Sequence, residues 1–124
     1  MHILIIEDDK DIRDILAMVL SVEGYEVKTA IDGVAGLDQL RMGGRPSLIL
    51  LDMMMPRLDG EGFLKAMRSN PNTADIPVII LTGHPAAREK AAELGAAGCL
   101  VKPVELVELL STIRQAERHP DPRP

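Results

Sequence analysis

Acidic residues follow two apolar runs of the sequence, at the point where each run would leave a buried strand. Glu7 and Asp8 follow the run at 2–6, and Asp52 follows the run at 48–51. In an open parallel α/β sheet, the carboxyl ends of the strands form one edge, and ligands bind in the crevice outside it. Carboxylates that meet at this edge would attract a divalent cation.

Two other apolar runs end in residues that can bind phosphoryl oxygens. Thr82 closes the run at 77–82, and Lys102 follows the run at 98–101. A hydroxyl and an ammonium suit phosphoryl transfer, which depends mainly on positioning and on neutralising charge. Asp52 could act as a nucleophile toward phosphorus, or it could ligate a metal.

The types of ligand favour magnesium. Three carboxylates and one ammonium leave this edge with a formal charge of −2, which one Mg²⁺ would neutralise. Hard oxygen ligands, with no pair of Cys or His nearby, favour Mg²⁺ over zinc or copper. The methionines at 53–55 could offer thioether ligands to copper, but Met more commonly fills gaps in a core.

Length and composition exclude several classes of protein. A chain of 124 residues fits one domain, and one Phe, one Tyr and no Trp predict an aliphatic core. The net charge of −5 and the lack of a basic stripe argue against direct nucleic-acid binding. A single cysteine, Cys99, excludes an internal disulfide and suits a reducing compartment. Since the early apolar run is too short for a signal peptide or a membrane span, we expect a cytoplasmic protein without membrane contact.

The apolar runs alternate with helical patterns, which predicts an α/β fold with a parallel sheet. The predicted strands are 2–6, 26–30, 48–51, 77–82 and 98–101. The predicted helices are one that starts after Asp9 or Asp11 and ends at Gly24, then 33–41, 60–69, 86–94 and 104–117. Several strands are apolar on both faces, which is typical of a sheet covered by helices on both sides.

The helical periodicity also predicts which side chains face the core. In the first helix these are Ile12, Ile15, Leu16, Val19 and Leu20. In the last helix they are Leu106, Leu109, Leu110 and Ile113. The proline-rich segment 118–124 follows, and we interpret it as a disordered tail or the start of a linker after a domain of residues 1–117.

Taken together, the motifs resemble those of the receiver domains of response regulators in two-component signalling, including chemotaxis regulators. The matching motifs are Ile6-Glu7-Asp8-Asp9, Asp52-Met-Met-Met-Pro56 with Asp59-Gly60, Leu81-Thr82-Gly83 and Val101-Lys102-Pro103. The resemblance covers residues 1–117 and has all four motifs in order. It implies a flavodoxin-like, doubly wound sheet of five parallel strands in the order 2-1-3-4-5, with five helices.

The resemblance implies a role for each acidic residue. Asp52 would accept a phosphoryl group from a phosphohistidine on a sensor histidine kinase or a histidine phosphotransfer protein. Asp8 would ligate Mg²⁺ directly and Glu7 through water, and the backbone carbonyl of Met54 would complete the metal shell. Asp9 would lie one position beyond the acidic pair, at the start of the first helix.

The remaining motif residues would respond to the phosphoryl group. By resemblance, Lys102 pairs with its oxygens, the Thr82 hydroxyl moves onto them, and Pro103 follows a cis peptide bond. His84 lies at a position that tunes dephosphorylation in this family, although a rim histidine without a catalytic role is an alternative. The chain would then be a switch and not an enzyme, catalysing only its own phosphoryl uptake and slow self-dephosphorylation.

Two residues depart from the pattern of the family. Many receivers have Tyr or Phe three residues before the lysine, where this chain has Cys99, and Phe often occupies the position of Val104. We interpret Cys99 as a small core hydrophobe. The usual aromatic readout is then absent, and we expect output through shifts of the loop at Thr82 and of the fourth helix.

The resemblance also implies partners. A kinase would dock at the first helix, and a downstream effector protein or fused effector domain would receive the signal. The fourth helix, fifth strand and fifth helix would form the output and homodimer face. Three alternatives remain: a Mg²⁺-dependent phosphatase, a flavin or nucleotide module, and a scaffold that is not phosphorylated. Met54 occupies the position of the phosphatase acid/base, and no glycine-rich phosphate loop follows any strand.

Overall fold

Five parallel strands form one sheet in the order β2-β1-β3-β4-β5, as predicted. The computed structural model describes residues 2–53 and 58–118. The strands are β1 (His2–Ile6), β2 (Glu26–Ala30), β3 (Leu48–Asp52), β4 (Val78–Thr82) and β5 (Gly98–Val101). The helices are α1 (Lys10–Val22), α2 (Gly33–Met42), α3 (Gly60–Arg68), α4 (Ala87–Glu93) and α5 (Leu106–Arg118).

The central strands are buried on both faces, because helices cover both sides of the sheet. Every residue of β3 and β4 is buried. On one face, α1 and α5 pack against side chains such as Ile5 and Leu50. On the other face, α2, α3 and α4 pack against Ile6 and Leu51. The core is aliphatic, as the composition predicts, and the one phenylalanine, Phe63, is fully buried within it.

Aspartates fix where three of the helices begin. The Asp9 side chain accepts hydrogen bonds from the amides of Asp11 and Ile12, which settles the two sequence alternatives for the cap of α1. Asp32 and Asp59 cap α2 and α3 in the same way. These caps satisfy amides that lack partners inside the helix, so each helix starts at a defined distance from the preceding strand end.

Predicted and observed boundaries differ by at most two residues. Strand β3 includes Asp52, so this residue ends the strand instead of following it. Strand β4 begins at Val78, because Pro77 has no amide to donate to the sheet. Helix α5 begins at Leu106 instead of 104 and reaches Arg118. Residues 119–124, most of the predicted tail, lie outside the described residues.

Two predicted core residues are exposed. Ile15 is 57% exposed because the buried face of α1 centres on Leu16 and Leu20, and Ile15 lies at its edge. Leu106 is 48% exposed at the first position of α5, before the buried pair Leu109 and Leu110. In the described part of the chain, no helix combines the length and apolar character needed to cross a membrane.

Candidate functional site

The carboxyl ends of β1 and β3 bring three carboxylates together, as predicted. One oxygen each of Glu7, Asp8 and Asp52 lie within 4.8 Å of one another. The strands pair in register with Ile6 opposite Leu51, so the residues that follow lie side by side. Glu7 and Asp52 are buried, while Asp8 is exposed. The cluster therefore has a buried floor and one side open to solvent.

Lys102 extends into this cluster from the end of β5. Its Nζ lies 2.7 Å from Glu7 Oε1 and 3.5 Å from Asp52 Oδ1. Burial opposes the charge of Lys102, but the hydrogen bond to Glu7 and the charge of Asp52 outweigh it and raise the pKa of the ammonium. Lys102 is therefore charged at neutral pH. Three carboxylates and this ammonium again give a formal charge of −2.

The residues of the cluster fit a divalent cation such as Mg²⁺. Partial burial opposes ionisation of Asp8, but hydrogen bonds shared with Asp52 and Glu7 lower the pKa of its carboxyl. Asp8 therefore offers an ionised oxygen on the open side. Hard oxygen ligands and an uncompensated negative charge are what Mg²⁺ requires. Met54, whose carbonyl was predicted to join them, lies outside the described residues.

Thr82 lies at the same edge of the sheet, at the end of β4. Its carbonyl accepts a hydrogen bond of 2.7 Å from the amide of Lys102, so the two residues are neighbours. Its hydroxyl accepts a hydrogen bond of 3.1 Å from the amide of His84. The Thr82 hydroxyl is therefore held by its own loop, and the His84 residue is exposed at the rim.

Cys99 lies on β5 beside a groove, away from the carboxylates. The groove has a volume of about 180 Å³ and is lined by Arg88, Ala91, Ala92, Ala96, Gly98 and Cys99. Burial raises the pKa of the Cys99 thiol, and nearby Arg88 only partly offsets this. The raised pKa keeps Cys99 a neutral thiol at neutral pH. The peptide bond between Lys102 and Pro103 is cis, as the resemblance implies.

One residue of the site is not suggested by the sequence. Arg13 of α1 donates hydrogen bonds from Nη1 to the carbonyl of Glu7 at 3.0 Å and to that of Asp8 at 3.5 Å. Its partners are backbone atoms, so no motif marks it. The only available signal is its place one turn inside a helix that follows the acidic pair, because helical side chains tilt toward the N-terminus.

The fold and site define the class of this protein. Residues 3–114 match the response regulator receiver domain family. The chain therefore belongs to this family, whose members act as phosphorylation-dependent switches in two-component signalling.

Curated relatives with similar sequences are longer response regulators. The chain is 40% identical over 124 residues to the response regulator MprA of Mycobacterium avium, covering 98% of this chain and 53% of MprA. It is 38% identical over 122 residues to the DNA-binding dual master transcriptional regulator RpaA of a Synechocystis species, covering 97% of this chain and 50% of RpaA. The chain thus spans about half the length of the curated relatives it matches.

Solved structures of receiver domains resemble the whole fold. A putative response regulator from Chloroflexus aurantiacus superposes with a TM-score of 0.89 at 32% identity, covering 95% of this chain and 98% of that one. The chemotaxis response regulator CheY4 of Vibrio cholerae superposes with a TM-score of 0.85 at 33% identity, covering 92% of this chain and 96% of that one. These neighbours share the flavodoxin-like receiver fold.

Proposed function

We propose that this receiver domain accepts a phosphoryl group on Asp52 from the phosphohistidine of a sensor histidine kinase or histidine phosphotransfer protein. One observation carries the proposal. The buried carboxylate of Asp52 lies within 4.8 Å of the Glu7 and Asp8 carboxylates and 3.5 Å from the Lys102 ammonium. A nucleophile, a cation site and a fixed positive charge therefore meet at the open edge of the sheet.

The residues divide the chemistry between them. An Asp52 oxygen attacks phosphorus and forms a P–O bond while the P–N bond of the donor breaks, and the imidazole nitrogen takes that electron pair. Asp8 and Asp52 would hold Mg²⁺, with Glu7 acting through water and, as the resemblance implies, the Met54 carbonyl completing the shell. When bound there, Mg²⁺ would supply the positive charge that neutralises the phosphoryl oxygens. Lys102 is close enough to exchange its contact with Glu7 for one with those oxygens.

Phosphorylation shifts a conformational equilibrium. It adds negative charge and three acceptor oxygens at Asp52, which favour the state with Lys102 and the Thr82 hydroxyl drawn inward. The Thr82 hydroxyl accepts a hydrogen bond from the His84 amide, so its movement toward those oxygens is coupled to the loop that follows β4. That change moves the loop ahead of α4, so output passes through α4 without an aromatic side chain at Cys99. His84 lies on this moving loop, where it can influence dephosphorylation.

The surface offers separate places for the partners. Exposed Ile15, Met18 and Val22 form an apolar stripe on α1, the helix that follows the acidic pair, where the kinase or phosphotransfer protein docks. The face of α4, β5 and α5 contacts a downstream effector, a fused effector domain or a second copy. DNA binding is named for RpaA, a protein of about twice this length. With a net charge of −5, this chain does not itself bind nucleic acid.

Mass spectrometry after incubation with acetyl phosphate, with and without Mg²⁺, tests the proposed function. Wild type should gain one Mg²⁺-dependent, hydroxylamine-labile phosphoryl group, and Asp52→Asn should gain none while remaining folded. Asp59→Asn is the matched control, because Asp59 caps α3 outside the cluster and Asn caps helices equally well. Wild-type phosphate incorporation by Asp52→Asn would refute the assignment.

A further inference from the structure

The loop between β1 and α1 carries two of the three carboxylates of the cluster. At its start, the Glu7 amide donates a hydrogen bond of 3.1 Å to the Ala30 carbonyl and continues the sheet. At its end, Asp9 caps α1 through the amides of Asp11 and Ile12. Neither contact engages the carbonyls of Glu7 and Asp8, whose orientation sets where the two side chains point.

Arg13 engages both of these carbonyls. Its Nη1 lies 3.0 Å from the Glu7 oxygen and 3.5 Å from the Asp8 oxygen, so one guanidinium spans the turn of the loop. The first of these contacts is partly shielded from solvent. A hydrogen bond from a charged donor is stronger than one from a neutral donor and weakens less in a shielded place.

Helix electrostatics do not account for a cation at this position. Arg13 lies in the first turns of α1, close to the positive end of the helix dipole, where an anionic side chain is the stabilising choice. In the same turns, Lys10 pairs with Asp14 at 2.7 Å along the helix, but Arg13 extends past the end of the helix to the loop. The contribution of Arg13 is therefore its hydrogen bonds to the carbonyls of the loop.

We propose that Arg13 is a positioning residue for cation binding at the phosphorylation site. By holding the carbonyls of Glu7 and Asp8, it keeps the carboxylate of Asp8 near Asp52 before any cation arrives. This inference rests on the proposed function. Arg13 acts through the loop, because the hydrogen bonds that define its role go to backbone oxygens.

The direction in which Mg²⁺ affinity changes when Arg13 is replaced distinguishes a positioning role from an effect of its charge. A cation near the cluster repels Mg²⁺, so a residue that acted only by its charge would give tighter Mg²⁺ binding when removed. A positioning residue gives weaker binding when removed, because the less restrained loop must be ordered further as the cation binds. Outer partners that orient metal ligands typically change affinity by about 10- to 100-fold when mutated. Residues with a purely structural role lower stability and leave the affinity of the folded protein unchanged.

Isothermal titration calorimetry with Mg²⁺ alone tests the proposal on the full chain. Arg13→Met should weaken Mg²⁺ binding by about tenfold. Lys10→Met is the control, since it removes a cation from the same helix end without touching a loop carbonyl, and its affinity should equal wild type or be slightly tighter. In the metal-free protein, the NMR shift of the Asp8 amide, which is bonded to the Glu7 carbonyl that Arg13 contacts, should change in Arg13→Met and not in Lys10→Met.

Further variants keep the test decisive if Arg13→Met folds poorly. Arg13→Gln is too short to span both carbonyls and should also weaken binding, while Arg13→Lys keeps the charge and a donor and should recover most of the affinity. Unchanged Mg²⁺ affinity in all three variants, or tighter binding by Arg13→Met, would overturn the proposal and leave phosphorylation of Asp52 standing. If wild type bound no Mg²⁺, the proposed function would fail first and this inference with it.

Discussion

Two regions at the same edge of the sheet differ in how firmly they are packed. Asp52 ends a strand whose residues are all buried, and the neighbouring strand β4 is equally buried. Helix α4, a few residues further along the chain, has only seven residues, of which Ala91 alone is buried. Beside it, Cys99 leaves a groove of about 180 Å³ against β5. Asp52, the proposed phosphoacceptor, is thus firmly packed, and α4 is thinly packed.

Polar contacts hold α4 where apolar contacts are few. Lys90 lies 3.3 Å from Glu61 of α3, and Arg88 lies 4.0 Å from Glu108 of α5. All four side chains are at least 35% exposed, and such surface pairs contribute only about 0–1 kcal/mol each. The N-cap position of α4, Ala86, offers no side-chain cap. A charge added at the rigid site can therefore move α4 at small cost, which is what a switch needs.

Large-to-small substitutions should give the largest difference in unfolding free energy between the two regions. Leu50→Ala, in β3 beneath the site, should lower the free energy of unfolding by about 2–5 kcal/mol, because it opens a cavity in a fully buried strand. Ala91→Gly, in α4, should cost only about 1 kcal/mol, mainly from helix propensity. Urea denaturation measures both values. Equal losses would mean that α4 is as firmly anchored as the core.

Enlarging a side chain on β5 should give a smaller difference in stability, again with the greater cost at the well-packed position. Leu100→Tyr places a larger, polar side chain where the wild-type residue is 1% exposed, and should cost about 3 kcal/mol of unfolding free energy. Cys99→Tyr, one residue away, can use the groove and should change stability by less than about 1 kcal/mol. Thermal and chemical denaturation measure the stability of both variants. A cost at Cys99 that matched the cost at Leu100 would contradict the presence of usable space beside α4.

The cross-helix ion pair should give the smallest effect. Lys90→Met removes the contact with Glu61 and should lower the free energy of unfolding by about 0.2–1 kcal/mol, less at high salt. The change should be local, so amide exchange in α4 should accelerate while amides in β3 keep their protection. An acceleration spread evenly over the sheet would contradict the independence of the two regions.

Much of the fold could be predicted from the sequence because buried strands and helix caps leave clear patterns. The strand order follows from the resemblance, and the start of α1 was narrowed to a cap at Asp9 or Asp11, of which Asp9 is the cap. Ile15 and Leu106 were wrongly predicted to face the core, and both errors have a common cause. Periodicity shows that an apolar side chain could face the core, but the neighbouring elements decide how wide the buried face is and where the helix starts.

The site was predictable where it depends on strand ends and unpredictable where it depends on distances. Residues that close apolar runs had to meet at one edge, which brought Asp52 and Lys102 together. Two features of the site depend on side-chain conformations, which the sequence pattern does not give. Lys102 lies closer to Glu7 than to Asp52. The Thr82 hydroxyl accepts a hydrogen bond from the His84 amide. The role of Arg13 could not be predicted from the sequence, because its partners are backbone carbonyls, which every residue has.

Locating the phosphoryl group on the chain tests whether Asp52 is the phosphoacceptor. An aspartyl phosphate formed with acetyl phosphate and Mg²⁺ can be reduced with borohydride, which converts the modified side chain to homoserine, and peptide mass spectrometry then identifies its position. Homoserine should form at position 52 alone, and none should form when Mg²⁺ is omitted. Homoserine at Asp8 or Asp59, or a phosphoryl group on His84, would contradict this assignment.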